Sequence, residues 1–66
     1  MHITLNGQQL EVNEEESVEQ LLTRLNLSGK RLALEMNGEI LGRSQFKSTR
    51  LRAGDHLEII VAVGGG

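Results

Sequence analysis

The hydrophobic pattern of this chain changes period twice, and that double change restricts the folds open to it. Residues 2–13 alternate polar and apolar side chains, residues 18–25 repeat apolar side chains at helical spacing, and alternation returns at Leu32. Alternation marks a strand with one buried face, whereas apolar side chains at i, i+3, i+4 and i+7 mark one stripe along a helix. The chain therefore reads as strands interrupted by one amphipathic helix. With 66 residues there is room for a single domain. A domain of this size buries about 60% of the surface its unfolded chain exposes, so its core is thin and a deep internal substrate pocket is not expected.

Ile3 and Leu5 share one face of a first strand, and Asn6-Gly7 supplies the left-handed backbone positions of a tight hairpin turn. Leu10 and Val12 then alternate with Gln9, Glu11 and Asn13, which puts the apolar pair of a second strand beside Ile3 and Leu5. In the helical segment, Val18, Leu21, Leu22 and Leu25 form the stripe. Ser17 and Gln20 stand at capping-box spacing, and Glu14, Glu15, Glu16 and Glu19 are read as complements to the positive end of the helix dipole. A helix of roughly ten residues is predicted, ended by residues 26–29 with Gly29 at the left-handed exit and Lys30 and Arg31 near the negative end.

Leu32, Leu34 and Met36 face one way along a third strand and Ala33 and Glu35 the other, until Asn37-Gly38 turns the chain. Residues 39–41 pair back across that turn, and in the polar stretch 42–49 a turn of helix is expected to plug the core with Phe46. Ala53-Gly54-Asp55 signals another turn. Leu57, Ile59, Val61 and Val63 then alternate with Glu58, Ile60 and Ala62; this last strand is the most apolar and is placed at the centre of the sheet. Residues 1–63 make the domain, and Gly64, Gly65 and Gly66 a flexible, exposed tail without side chains to pack.

Composition removes most autonomous chemistry. Without cysteine the chain has no thiol nucleophile, thiolate zinc site or iron–sulfur ligand, so any sulfur must come from outside. His2 and His56 lack ligand spacing, no Gly-x-Ser-x-Gly element is present, and Gly38 and Gly42 lack the Gly-Lys-Ser/Thr ending of a phosphate loop. An enzyme and a metal site are therefore not expected. A net charge of −2, no basic cluster and a single aromatic residue argue against nucleic acid as a partner. The longest apolar run, residues 59–63, is far short of the ~20 residues of a membrane-spanning helix, and the amino terminus has no secretory pattern, so a cytoplasmic protein is expected.

Two features have both a functional and an ordinary reading. Ile60 points away from the predicted core with Ala62 beside it, either as a docking surface or as an ordinary exposed side chain. The three terminal glycines are either a loose end or linker, or a thread narrow enough to carry the Gly66 carboxylate into another protein's active site. A carboxylate is inert toward nucleophiles, but transfer of an adenylyl group from ATP makes a mixed anhydride open to attack by sulfur.

Ile3-Thr4-Leu5-Asn6-Gly7, Ser17-Val18 through Leu21-Leu22, Glu35-Met36-Asn37 with residues 40–43, residues 51–55, and Val63-Gly64-Gly65-Gly66 occur in the order found in one family. On these segments the chain resembles, over its whole length, the ThiS sulfur carriers of thiamine biosynthesis, within the ubiquitin-like β-grasp fold. The resemblance implies an α+β architecture: a five-stranded mixed sheet in order 2-1-5-3-4, with parallel first and last strands and one helix across one face. Thr4, Ala33, Ile60 and Ala62 would then form a low-charge strip on the other face. It further implies that an E1-like (ThiF-like) adenylyltransferase uses ATP and magnesium to activate Gly66. Sulfur ultimately from cysteine would convert the group to a thiocarboxylate, and thiazole synthase (ThiG-like) would accept that sulfur. Gly64, Gly65 and Gly66 would be threaded into partner active sites, Ile60, Ala62 and Val63 would contact partners, and the carrier, a monomer when free, would bind no cofactor itself. The alternatives are a carrier of molybdopterin synthesis, whose members tend to be longer with prolines before the glycines, and a ubiquitin-like interaction module with a chemically silent tail.

Overall fold

The two Asn-Gly pairs make two-residue turns. Asn6 and Gly7 have φ of 49° and 81°, and Asn37 and Gly38 have φ of 54° and 87°. Left-handed values at both central positions match the right-handed twist of the flanking strands and close each hairpin tightly. The first hairpin joins β1 (His2–Leu5) to β2 (Gln8–Glu11), with Ile3 opposite Leu10; the second joins β3 (Leu32–Met36) to β4 (Glu39–Leu41), with Leu34 opposite Leu41. The structure, a computed structural model, describes residues 1–62.

β5 (His56–Val61) lies between the hairpins, parallel to β1 and antiparallel to β3, giving the sheet order β2-β1-β5-β3-β4. This is the expected topology, with the most apolar strand at the centre. α1 (Val18–Arg24) begins with a complete capping box: the Gln20 amide donates to Ser17 Oγ at 3.0 Å and the Ser17 amide to Gln20 Oε1 at 2.9 Å. The two preceding helical amides find carbonyls in the segment after β4, Val18 donating to Thr49 and Glu19 to Phe46. The exposed donors of a helix start are thus used to dock the helix onto that segment. Seven residues are too few for a helix stable alone, so packing holds it. Val18, Leu21 and Leu22 join Ile3, Val12, Leu34, Phe46, Leu51, Leu57 and Ile59 in one core. Phe46 follows a 3-10 turn (Arg43–Gln45) and is buried, as its predicted role as a plug requires.

Four local expectations are corrected. The helix has seven residues and leaves through Asn26 at φ 63°, with the Leu27 amide bonded back to the Leu22 carbonyl; Gly29, at φ 79°, serves the following turn. Asparagine tolerates the left-handed exit, so glycine is not required there. Glu16 is 5% exposed and ion-paired, which a role as dipole complement on the surface does not describe. Val61, predicted to face the core, is 37% exposed. A seven-residue helix spans about 10 Å and the six-residue β5 about 20 Å, so the helix cannot cover the strand's full length. The low-charge strip of the outer face is also interrupted, as the site geometry shows. Val63 and the glycine tail, Gly64, Gly65 and Gly66, lie outside the described residues.

Candidate functional site

The route to the carboxyl end runs along β5, and that strand is held from both sides. On the β1 side, Thr4 donates to the Asp55 carbonyl at 2.8 Å and Asn6 to the Leu57 carbonyl at 2.9 Å. β1 ends there, and the Asn6 side chain continues the pairing: its Oδ1 accepts the Ile59 amide at 2.8 Å and its Nδ2 donates to the Ile59 carbonyl at 3.2 Å. On the β3 side, Leu32 lies opposite Val61, and the Ala62 amide donates to the Arg31 carbonyl at 2.9 Å. The backbone is anchored up to the residue before Val63.

Ile60 is 68% exposed on the face of the sheet away from the helix, with Ala33 opposite it, and Ala62 is also exposed. Thr4 is separated from them. It pairs with His56, four residues from Ile60, a distance of about 13 Å along the strand, and Glu58 stands between on the same face. The residue that composition and pattern left out is Ile40, which is 70% exposed and lies opposite Glu35, itself opposite Glu58. Its signal was present in the sequence: Leu41 pairs with core Leu34, so alternation turns Ile40 outward.

Among the described residues no group of three or more histidine, aspartate or glutamate side chains could hold a metal ion. His2 Nε2 is 3.3 Å from a Glu11 carboxylate oxygen, and the His56 amide donates to Asn37 Oδ1. A depression of about 180 Å³ beside the end of α1 has an apolar floor of Leu22, Leu27, Leu32 and Phe46, with Lys30 and Arg43 at its edge and no histidine in its lining. No helix among the described residues is long and apolar enough to cross a membrane. The arrangement presents an anchored strand whose outer face carries Ile60 and Ala33 in one row and Glu58, Glu35 and Ile40 in the next.

The model of the ThiS family matches residues 3–66, a span that includes Val63 and the three glycines. The chain belongs to the ThiS family. Its β-grasp sheet is shared with the crystal structure of the thiamine biosynthesis protein ThiS from Geobacter metallireducens, at 35% identity, a TM-score of 0.84 and full coverage of both chains. The solution structure of a thiamine biosynthesis protein from the same organism gives a TM-score of 0.81, covering all of this chain and 88% of that one. Among curated relatives, this ThiS-family chain is 38% identical over 64 residues to the uncharacterized protein ycf40 of Porphyra purpurea, covering 90% of its length. It is 33% identical over 66 residues to a thiazole synthase of Paramagnetospirillum magneticum, of which it spans 20%.

Proposed function

We propose that this ThiS-family chain is a sulfur carrier of thiamine biosynthesis, a substrate of partner enzymes with no catalysis of its own. An E1-like adenylyltransferase, using ATP and magnesium, transfers an adenylyl group to the Gly66 carboxylate and releases pyrophosphate. A sulfur nucleophile, its sulfur ultimately from cysteine, displaces AMP and leaves a thiocarboxylate. Thiazole synthase passes that sulfur to a carbonyl carbon of its substrate, and the oxygen displaced from that carbon is exchanged onto Gly66 to restore the carboxylate. Gly64 and Gly65 give the thread its narrow cross-section, because a side chain at either position would widen the channel the partner must provide. Ile60, Ala62 and Val63 contact the partners at the root of the thread.

The observation that carries this reading is the family match extending through the three glycines, on a chain whose central strand is anchored up to Ala62. The thiazole synthase of Paramagnetospirillum magneticum adds support for the acceptor, since a segment like this chain makes up a fifth of it. The ThiS match also favours the thiamine branch over a carrier of molybdopterin synthesis. The cytoplasm, where ATP is available, suits the chemistry.

Intact mass spectrometry of the chain produced together with its adenylyltransferase tests the proposal. Exchange of one oxygen for sulfur at the carboxyl end is expected, and deletion of Gly65 and Gly66 should abolish it. An unchanged mass while the enzyme consumes ATP rules the carrier reading out; retention of function in the deleted chain points instead to a binding module.

A further inference from the structure

We propose that Glu35 and Glu58 form the charged centre of the docking face, and that they receive an arginine set among apolar side chains on the adenylyltransferase. This rests on the carrier reading and names the chemistry of its first partner. The two carboxylates lie directly opposite each other on the adjacent antiparallel strands β3 and β5. Like charges in that position destabilise a sheet. Both residues are exposed, and among the described residues no cation lies within ion-pairing distance of either. The other carboxylate on this face, Glu11, is by contrast 3.6 Å from the amino terminus and 3.3 Å from His2.

The surroundings of the pair are apolar on the side toward the carboxyl end of β5 and on β4, whereas His56 and Asn37 make the row on the other side polar. Ile40, Glu35 and Glu58 form one row across β4, β3 and β5, about 10 Å long at the usual strand spacing. Ile60 and Ala33 form the next row on the same face. Ile40 and Ile60 are the most exposed large apolar side chains of the described residues. A partner covering those isoleucines also takes the two carboxylates out of water, which is costly unless cationic hydrogen-bond donors arrive with it. A guanidinium meets that demand better than an ammonium, because its planar fork can donate to both carboxylates at once. The repulsion in the free sheet thereby becomes a preference for a basic, apolar partner surface over a neutral one.

The test is isothermal titration of the full chain into the E1-like adenylyltransferase of the same organism, at low and at physiological ionic strength. The double variant Glu35→Gln with Glu58→Gln should bind about tenfold more weakly or worse, with a flatter salt dependence, while unfolding no earlier than wild type. The control Glu14→Gln, on the segment before α1, should bind as wild type does. Equal affinity and equal salt dependence in the double variant, with wild type binding, overturn this inference alone and leave the carboxylates as devices that keep an apolar face soluble. A wild-type chain that the adenylyltransferase does not capture overturns the carrier reading and this inference together.

Discussion

Asn6 grips Ile59 by both ends of its side-chain amide, accepting the Ile59 amide proton at 2.8 Å and donating to the Ile59 carbonyl at 3.2 Å. The residue that turns the first hairpin thus extends the β1–β5 pairing beyond the end of β1. Asn37 works similarly at the start of β5, where its Oδ1 accepts the His56 amide at 2.9 Å and its Nδ2 donates to Asp55 at 3.1 Å. Each Asn-Gly turn therefore makes a hairpin and supports the central strand from one side.

Asn6→Ala should destabilise the domain by about 2–4 kcal/mol. The Ile59 groups lose their partners at a buried position, and alanine tolerates the φ of 49° poorly. Asn6→Gly keeps the backbone conformation and isolates the hydrogen-bond contribution. Urea unfolding of the three proteins measures both parts; losses below about 0.5 kcal/mol in both variants would show the clamp to be energetically idle.

Glu16 and Arg24 form an ion pair beside the helix. Arg24 Nε donates to Glu16 Oε2 at 2.9 Å and Nη2 to Oε1 at 3.2 Å, while the Asn13 amide also donates to Oε1 at 2.9 Å. The Glu16 side chain is buried and the Arg24 side chain is 46% exposed. Arg24→Met leaves the buried charge with one donor and should cost about 2 kcal/mol, less than for a fully buried pair because water reaches the arginine. Arg24→Lys should recover only part, since an ammonium cannot match the paired geometry. Thermal unfolding checks the order wild type, lysine, methionine; equal stability of all three would remove the ion pair from the account.

Phe46 is the sole aromatic residue and stands 9% exposed in the core. Phe46→Ala should cost about 3–5 kcal/mol, comparable to the ~5 kcal/mol at the low end of domain stabilities. Loss of a cooperative transition, or a sharply lowered midpoint, is expected by circular dichroism. Phe46→Leu should restore most of the difference, and a wild-type midpoint in the alanine variant would contradict the plug.

Ile60→Glu should leave stability within about 0.5 kcal/mol of wild type, because the side chain is already 68% exposed, yet weaken capture by the adenylyltransferase. Its neighbour Ile59, 7% exposed, provides the contrast: Ile59→Glu should unfold the domain. Pull-down with the purified adenylyltransferase, beside a thermal melt, separates the two effects. Wild-type affinity in Ile60→Glu would place the interface elsewhere.

The elements of this fold were legible because each depends on residues close together in the chain. Asn6-Gly7 and Asn37-Gly38 carry their turns, Ser17 and Gln20 their capping box, and the alternation of residues 57–61 its strand, whatever the rest of the molecule does. The helix exit was misread for the same local reason, since Asn26 and Gly29 can each take a left-handed conformation. The terminal glycines and the order of segments were enough to indicate the family. Register between distant strands was decided only by tertiary structure. Packing of the helix against the sheet selects which residue of one strand lies opposite which residue of another. That selection set Thr4 beside His56 and away from Ile60, brought Glu58 opposite Glu35, carried Asn6 to Ile59, and buried Glu16 against Arg24. Each of these pairings joins residues that only the closed core brings into contact, and a one-dimensional pattern records which face a side chain takes without recording what it meets there.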